Sequence, residues 1–344
     1  MKHTLLRLSA VALLVGTLAA CGTHAPSSSS ASQAAAYVPI KAEQVQRQAI
    51  AKGVYELVYS PKRNAVFVAS SGGWGDQADP AKIVRLNPDT LAVEAEIPLQ
   101  RKAFGLALDD AAGRLYVGNT VDTSLTVVDI AAQREVAVIQ LEQKVKGADG
   151  KERYQRDLRQ LVVDPDNHRV YIAAHAFEHG SVLYVVNTDT LQVEKRIEGL
   201  GNAKAPGIWL DAATNRLFVT DQGSKSLGEY IAKTVPGYSS NGKGNRVVVL
   251  DADTGAVQAS VPTGEGPLQL WLDAKRKRLY VTNRSAGAIS VHHSDTYELL
   301  DTIPVPTHPN TLAQDAERNV VFVTIKNGEG DPKGSKESVA RLQF

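Results

Sequence analysis

The sequence is poor in the residues on which many enzymes depend. Its 344 residues contain one cysteine, Cys21, so no disulfide forms within the chain. It has no Gly-rich phosphate loop and no Gly-x-Ser-x-Gly elbow, which are the signatures of P-loop NTPases and α/β-hydrolases. These absences favour a protein that is not an enzyme, and they give no reason to expect a cofactor or a metal ion.

An excess of one charge is also absent. The chain has 38 Lys and Arg residues and 37 Asp and Glu residues, for a formal net charge of +1. No overall field therefore attracts nucleic acid or an anionic surface. Beyond the N-terminus no run of eighteen apolar residues occurs, so no spanning helix is predicted. A chain of this length buries a large core without disulfides.

The first twenty residues have the pattern of a bacterial signal peptide. Lys2 and Arg7 provide positive charge, and residues 5–18 are mostly apolar but too few to span a membrane. Leu18-Ala19-Ala20-Cys21 resembles a lipobox, in which the cysteine is lipidated. The alternative is an ordinary secretory signal that contains a cysteine by chance.

The lipoprotein interpretation sets the predicted domains and location. It gives a signal peptide over 1–20, a lipidated Cys21 with a flexible Ser-rich tether over 21–36, and a single folded domain over 37–344. The predicted location is the bacterial cell envelope, facing the periplasm. Gly22, in place of Asp, favours the outer membrane over the inner one.

A six-residue segment recurs along the rest of the chain. The parent copy reads Arg-Leu-Tyr-Val-Thr-Asn, and the six copies occupy residues 64–69, 114–119, 169–174, 216–221, 278–283 and 319–324. Their β-branched and aromatic residues favour strands. A unit of several short strands repeated at a regular period is the signature of a β-propeller.

Two residue columns precede each copy. The first is apolar and consists of Leu57, Leu106, Leu161, Ile208, Leu270 and Leu312. Shape and apolar area alone explain that column if the side chains pack between neighbouring sheets. The second follows three residues later and consists of Ser60, Asp109, Asp164, Asp211, Asp273 and Asp315. A carboxylate there accepts hydrogen bonds from backbone N–H groups two residues on and fixes a turn.

Third and fourth strands complete each unit. Third strands are clearest at 125–129, 182–187, 246–251 and 288–293, and fourth strands at 134–141, 192–198, 257–262 and 298–304. The predicted fold is therefore all-β, a propeller of six four-stranded antiparallel blades. The last unit has only three strands, so residues 44–50 are predicted to close the ring. Seven blades remain an alternative if 222–245 contains a degenerate blade.

The repeats resemble the YVTN-repeat β-propellers, in particular their YncE-type periplasmic members. The resemblance covers roughly residues 45–344 and rests on the copies above and on Lys52-Gly53-Val54-Tyr55-Glu56, Phe104-Gly105, Gly118-Asn119-Thr120-Val121 and Pro306-Thr307-His308-Pro309-Asn310. It implies the fold and an envelope location but little about activity, although nucleic-acid binding has been proposed for YncE-type proteins. The lipobox, the smaller blade number and the long 222–245 insertion depart from that type.

The long connections are predicted to share one face of the propeller. They are 71–81, 175–181, 222–245 and 326–337, together with 142–157 between blades. Loops of this length are often functional, so this face is the expected binding surface. Its eleven basic and eleven acidic residues cancel, which disfavours nucleic acid. Only 142–157 is locally basic, with Tyr154 available for stacking.

Polar residues at the start of the first strands predict a second candidate site, the mouth of the central channel. The candidates are Tyr55, Glu56, Phe104, Arg159, Gln160, Gln269, His308 and Asn310. Arg159 and Glu56 form either a structural pair or part of an anion site in which Arg159 is the donor.

The predicted function is a non-enzymatic, lipid-anchored scaffold that binds an envelope protein or a small ligand, and the chain is expected to be a monomer. One alternative is a YncE-type protein that binds single-stranded nucleic acid. Another is a metal-dependent hydrolase of the lactonase type. That enzyme would need several carboxylates in the channel, and only Glu56 is evident.

Overall fold

The computed structural model describes residues 45–147, 149–176, 180–197, 207–211, 213–222, 244–251 and 256–344. The proposed lipidation site Cys21 and the predicted tether lie outside these residues. No helix within the described ranges is long and apolar enough to cross a membrane.

The described residues form six four-stranded antiparallel sheets and one two-stranded hairpin. Blade 1 contains β2 (Val54–Ser60), β3 (Ala65–Ser70), β4 (Lys82–Leu86) and β5 (Val93–Pro98), and blade 2 contains β6 (Gly105–Asp109), β7 (Arg114–Asn119), β8 (Ser124–Asp129) and β9 (Arg134–Gln140). A hairpin of β10 (Val145–Lys146) and β11 (Glu152–Arg153) follows.

The remaining blades repeat this order from the inside outward. Blade 3 contains β12 (Asp157–Asp164), β13 (Arg169–Ala176), β14 (Gly180–Asn187) and β15 (Val193–Ile197), and blade 4 contains β16 (Ile208–Asp211), β17 (Arg216–Asp221), β18 (Arg246–Asp251) and β19 (Val257–Pro262). Blade 5 contains β20 (Pro267–Asp273), β21 (Arg278–Asn283), β22 (Ala288–His293) and β23 (Leu299–Pro304). Blade 6 contains β24 (His308–Asp315), β25 (Val320–Lys326), β26 (Glu337–Gln343) and β1 (Val45–Ala51). The predicted six-bladed propeller is confirmed.

The predicted closure of the ring is also confirmed. Strand β1 pairs antiparallel with β26, so the first described strand completes the last blade. Ile50 and Ala51 of β1 are 3% exposed and pack in one cluster with Leu57 and Phe322. The pairing leaves no open sheet edge on β26, which would otherwise be a site for aggregation.

The apolar column packs between blades as expected. Leu57, Leu106, Leu161, Leu270 and Leu312 are at most 4% exposed, whereas Ile208 is partly exposed. A column of fully buried aromatic rings in the second strands lies beside it and consists of Phe67, Tyr116, Phe218, Tyr280 and Phe322. Buried apolar area of this kind is the main source of stability in the fold.

The aromatic column corrects the register of two repeat copies. Asp109 pairs with Arg114, whereas Ser60 pairs with Ala65 and Asp315 pairs with Val320. The first and last copies are therefore 65–70 and 320–325, one residue later than predicted. The correct register places Phe67 and Phe322 on the buried tyrosine position, which the predicted copies did not.

The acidic column fixes turns, as predicted, although the hydrogen bond spans one more residue. Asp109 Oδ1 accepts from the N–H of Ala112 at 2.8 Å, and Asp273 Oδ1 accepts from that of Arg276 at 3.0 Å. In blade 1 the Ser60 hydroxyl oxygen takes the same role toward Arg63 N–H. In these three blades the bonded N–H group is three residues on, because the turn between the first two strands has four residues. In blade 6, Asp315 Oδ1 accepts from Glu317 N–H, two residues on as predicted, and also from Arg318 N–H.

The connections define two faces of the ring. On the short-turn face lie the turns between first and second and between third and fourth strands, and on the long-loop face lie the other connections. Residues 71–81 and 327–336 are long connections on that face, whereas most of 222–245 lies outside the described residues. The predicted 175–181 loop is wrong, because β13 and β14 continue to Ala176 and from Gly180. The 142–157 segment contains the β10–β11 hairpin.

Candidate functional site at the channel mouth

Three long polar side chains extend from the first strands of alternate blades toward the next blade. They are Glu56 in blade 1, Gln160 in blade 3 and Gln269 in blade 5, and each directly precedes the apolar column. Glu56 Oε2 accepts from Leu106 N–H at 2.9 Å, and Gln160 Oε1 accepts from Ile208 N–H at 2.6 Å. Gln269 Oε1 accepts likewise from Leu312 N–H. We call these three residues the axial layer.

The alternate blades have small residues at the same position, namely Gly105, Gly207 and Thr311. A Cβ atom on Gly207 would lie 2.5 Å from the Leu268 carbonyl oxygen and 2.9 Å from Gln269 Cα. Glycine is therefore needed where the first strand of blade 4 approaches blade 5. Large and small residues thus alternate around the axis.

Glu56 is the only acid of the axial layer. Its Oε1 accepts from Gln269 Nε2 at 3.0 Å, so a side chain from blade 5 contacts one from blade 1. Burial outweighs the hydrogen bonds from Leu106 and Gln269 and raises the pKa of Glu56 from 4.5 to about 8. The carboxyl group is therefore mostly protonated at neutral pH, and the axial layer adds little negative charge to the channel.

A second polar layer lies toward the long-loop face, at the end of each second strand. The corrected register places one polar residue per blade there, directly after the repeated segment, and these residues are Ser71, Thr120, His175, Gln222, Arg284 and Lys326. We call this set the mouth ring. Two of its members donate a hydrogen bond to a backbone carbonyl of the next blade. Thr120 donates to Leu158 O and Lys326 donates to Val54 O, and each carbonyl lies three residues before the apolar column.

Lys326 is a buried cation with a complete set of partners. Its Nζ donates to Val54 O at 2.9 Å and to Glu337 Oε2 at 2.5 Å, and it lies 3.9 Å from the centre of the Tyr55 ring. Glu337 Oε2 also accepts from Val54 N–H at 2.6 Å. Desolvation lowers the pKa of Lys326, and the Glu337 charge opposes that shift. This pair joins blade 6 to blade 1.

Arg284 is the contrasting cation of the mouth ring. Its Nη1 donates to the neutral amide oxygen Asn310 Oδ1 at 2.6 Å, and its backbone oxygen lies 3.1 Å from His308 Nδ1. Burial lowers the pKa of Arg284, and the nearby charge of Glu337 opposes that shift. Within the described ranges, however, Glu337 forms its direct ion pair with Lys326 and not with Arg284. A desolvated guanidinium with a neutral partner favours an anion from outside the chain.

A series of aromatic rings leads from the channel to the surface. The ring centres of Tyr55 and Phe104 lie 4.4 Å apart, and those of Phe104 and Trp74 lie 6.0 Å apart. Trp74 is 59% exposed. Lys102 Nζ lies 5.0 Å from the Trp74 ring centre and donates to Ser71 O and Gly73 O. An apolar, π-rich wall therefore stands beside the cations.

The structure places most of the predicted site residues around the channel. Tyr55 and Phe104 form the aromatic wall, Glu56, Gln160 and Gln269 form the axial layer, and His308 and Asn310 contact Arg284. The Arg159 side chain lies outside the described part of the chain, so the predicted Arg159–Glu56 pair stays a prediction. The described partners of Glu56 are Gln269 and the Leu106 N–H group.

Sequence reasoning missed Arg284, Lys326, Lys102 and Trp74 as site residues. The signal for the first two was present, because both directly follow a copy of the repeated segment in its corrected register. All six residues in this column differ from one another, which marks a position where the side chain is not set by the common packing of the blades. Within the described ranges, no group of three His, Cys, Asp or Glu side chains is arranged to hold a metal ion.

Comparison with known proteins supports the resemblance seen in the repeats. No family model matches the chain. The chain is 26% identical over 319 residues to the uncharacterized protein YncE of Salmonella typhimurium, across 85% of this chain and 88% of that protein. It is 28% identical over 312 residues to YncE of Escherichia coli, across 83% and 86% of the two chains. The chain is therefore homologous to the YncE proteins.

Solved structures agree with the propeller fold. Hydrazine synthase of Kuenenia stuttgartiensis matches with a TM-score of 0.56 and 15% identity, over 86% of this chain and 97% of that one. A luciferin-regenerating enzyme matches with a TM-score of 0.58 and 14% identity, over 87% and 95% of the two chains. At these identities the similarity concerns the fold alone.

Proposed function

We propose that this YncE homologue is a non-enzymatic, lipid-anchored scaffold of the bacterial cell envelope that binds a ligand through its channel mouth. The ligand carries an anionic group beside an apolar or aromatic part. The propeller supplies a rigid ring, and the mouth ring and the aromatic wall supply the recognition surface. A rigid scaffold with variable loops on one face is a common arrangement for binding proteins.

The observation that carries this proposal is the setting of Arg284. Taking a cation out of water costs free energy that a paired carboxylate normally offsets. Lys326 has such a carboxylate in Glu337, whereas the described side-chain partner of Arg284 is the amide of Asn310. Protonated Glu56 below supplies no compensating charge. Glu337 is the one carboxylate that acts on both Arg284 and Lys326 among the described residues, so a carboxylate or another planar anion from a ligand would pair directly with Arg284.

Support for the lipid anchor comes from the sequence. Cys21 is the sole cysteine and follows Leu18-Ala19-Ala20 at the end of a basic and apolar leader. An acylated cysteine would place the propeller in the envelope beside its ligand.

One experiment in living cells tests both parts. A photo-cross-linking amino acid replaces Trp74 at the mouth or, as a control, Asp166 in an exposed turn of the short-turn face. We expect a specific cross-linked species from position 74 only, which Arg284→Gln removes and Lys275→Gln, exposed on the short-turn face, retains. Cross-linking that Arg284→Gln leaves unchanged would overturn the proposed mouth site.

The same cells test the anchor. Cys21→Ser should move the protein from the membrane fraction to the soluble fraction and abolish lipid labelling. Unchanged fractionation and labelling would remove the anchor from the proposal while leaving the mouth site standing.

A second candidate function is the binding of single-stranded nucleic acid. The observation that favours it is the series Trp74, Phe104 and Tyr55 beside Lys102, since stacked rings and cations form the usual platform for unpaired bases. Nucleic-acid binding would weaken steeply with salt, because each phosphate contact releases counterions. A cross-linked species that contains nucleic acid and disappears at moderate salt would favour this candidate over a small anionic ligand.

A further inference from the structure

A groove opens on the side of the ring, between the outer parts of blades 4 and 5. Its cavity volume is about 450 Å³, within the range of small-ligand sites. Pro262 and Thr263 belong to blade 4 and its exit, and Ala288, Ser290, His292 and Leu299 belong to blade 5. We call this the side groove, and none of its residues belongs to the channel mouth.

Blade 4 has a threonine, Thr263, directly after its fourth strand, where other blades have an apolar residue, and this difference helps to open the side groove. Thr263 N–H donates to the carbonyl of Asn245 at 2.8 Å, the bond that Leu99, Leu141 and Val305 make in blades 1, 2 and 5. Leu99 and Val305 are at most 8% exposed and fill the space beside the next blade. Threonine is smaller than leucine and leaves that space open.

A second replacement lies in the third strand of blade 5. His292 pairs with Leu279, the second-strand position whose partners in the other blades are Leu86, Val128, Val186, Leu250 and Leu342. Five blades therefore have an aliphatic side chain where blade 5 has an imidazole. A buried polar residue in an apolar column costs stability unless it is hydrogen-bonded, and His292 has Ser290 Oγ and the Tyr297 carbonyl as partners. Blade 5 therefore has polar atoms beside the groove where the other blades have aliphatic carbon.

The floor of the side groove is a network of neutral polar groups. His292 Nε2 lies 3.0 Å from Ser290 Oγ, and Asn283 Nδ2 donates to the same oxygen at 2.9 Å. All three side chains are at most 2% exposed, and burial lowers the pKa of His292. Burial thus disfavours the charged form of the imidazole, and none of the described residues that line the groove is Asp, Glu, Lys or Arg.

These observations determine the chemistry of an occupant. A charged ligand would lose its hydration with no opposite charge to meet it. The walls of Pro262, Ala288 and Leu299 offer apolar carbon surface, and Thr263 and Thr302 offer hydroxyl groups at the more exposed positions. We propose that the side groove is a binding site for a small uncharged ligand with a flat apolar body and one hydroxyl group.

The test uses three compounds built on the same methyl-substituted benzene ring. p-Cresol has the required hydroxyl group, toluene lacks it, and p-toluate replaces it with a charge. Each is titrated into the full folded propeller while the NMR signals of Ala288, Leu299 and Thr302 are followed. We expect p-cresol to shift these signals with the lowest dissociation constant, toluene to bind at least threefold more weakly, and p-toluate not to shift them.

Two variants introduce the residues of the other blades. Thr263→Leu and His292→Leu should keep the melting temperature of the wild type or raise it, and each should weaken p-cresol binding at least tenfold. Val305→Leu adds a methylene at the equivalent position between blades 5 and 6 and should leave p-cresol binding unchanged. Stable variants that bind p-cresol as the wild type does, or p-toluate binding equal to that of p-cresol, would overturn the side groove as a site for uncharged ligands.

Discussion

The arginine residues of the short-turn face and Arg284 at the channel mouth lie in opposite settings. On the short-turn face, Arg63 Nη1 lies 2.6 Å from Asp110 Oδ1 of the next blade, and Arg276 bonds Asp273 and the Ala316 carbonyl of blade 6. Arg318 likewise contacts Asp315 and, across the ring closure, Asp89 of blade 1. On the long-loop face, Arg284 donates to an amide.

The difference separates stability from recognition. A guanidinium matched by a carboxylate or a turn carbonyl of the next blade holds two blades in register. A guanidinium with a neutral partner adds little to that register and retains its capacity to bind an anion. The same residue type thus joins blades on the short-turn face and, in Arg284, remains available for binding at the mouth. Three experiments test this division.

The largest expected effect concerns Glu56, which lies between the two faces. Because burial raises its pKa from 4.5 to about 8, the folded state binds a proton that the unfolded state releases. Its stabilising contribution is complete below pH 4.5 and is lost as the pH rises through 8, a total of about 5 kcal/mol. Urea unfolding from pH 4.5 to 9 should show wild-type stability falling relative to Glu56→Gln. Parallel curves would mean that the axial carboxyl ionises freely.

The next effect concerns the one matched cation of the mouth. Lys326→Met leaves the Glu337 carboxylate buried without its ion-pair partner, and Glu337→Gln leaves the Lys326 ammonium buried without its partner. Each variant should therefore lower the free energy of unfolding by about 3 kcal/mol. The double variant Lys326→Met with Glu337→Leu should lose much less than the sum of the two. Additive losses in denaturant unfolding would show that the pair is not coupled and would weaken the contrast with Arg284.

The smallest effect compares one arginine from each face. Arg318→Gln should lower the free energy of unfolding by about 1 kcal/mol, because its side chain is 36% exposed. Arg284→Gln should leave stability unchanged or raise it, since it removes a desolvated charge whose hydrogen-bond partner is a neutral amide and whose nearby carboxylate, Glu337, is already paired with Lys326. Thermal unfolding of both variants in the same buffer provides the measurement. Equal destabilisation would show that Arg284 is structural and would remove the division between the faces.

The architecture was predictable because packing repeats. Most members of the Leu57 to Leu312 column and of the aromatic column are buried between neighbouring blades. The resulting sequence period predicted six blades, and the three-stranded last unit predicted the closing strand β1. The one-residue error in the first and last copies arose where alanine or valine replaces the leading arginine. The aromatic position, Phe67 and Phe322, would have been the safer reference.

The site was less predictable because it does not repeat. The mouth ring consists of six different residues that share one register position at the end of the six second strands. The pKa of Glu56 depends on burial beneath that ring, and the Arg284–Asn310 contact joins residues of different blades. The sequence pattern within one blade gives no information about contacts between blades. The polar residue that follows each repeat copy would nevertheless have indicated where the mouth ring lies.

The direction of β1 sets the face at which the described chain enters the propeller. Val45 pairs with Leu342, close to the β24–β25 turn, so the polypeptide enters at the short-turn face and runs toward the mouth. The last residues of β1 therefore lie beside Glu337, the carboxylate that pairs with Lys326. Closure of the ring and construction of the mouth thus depend on the same strand pair, β1 with β26.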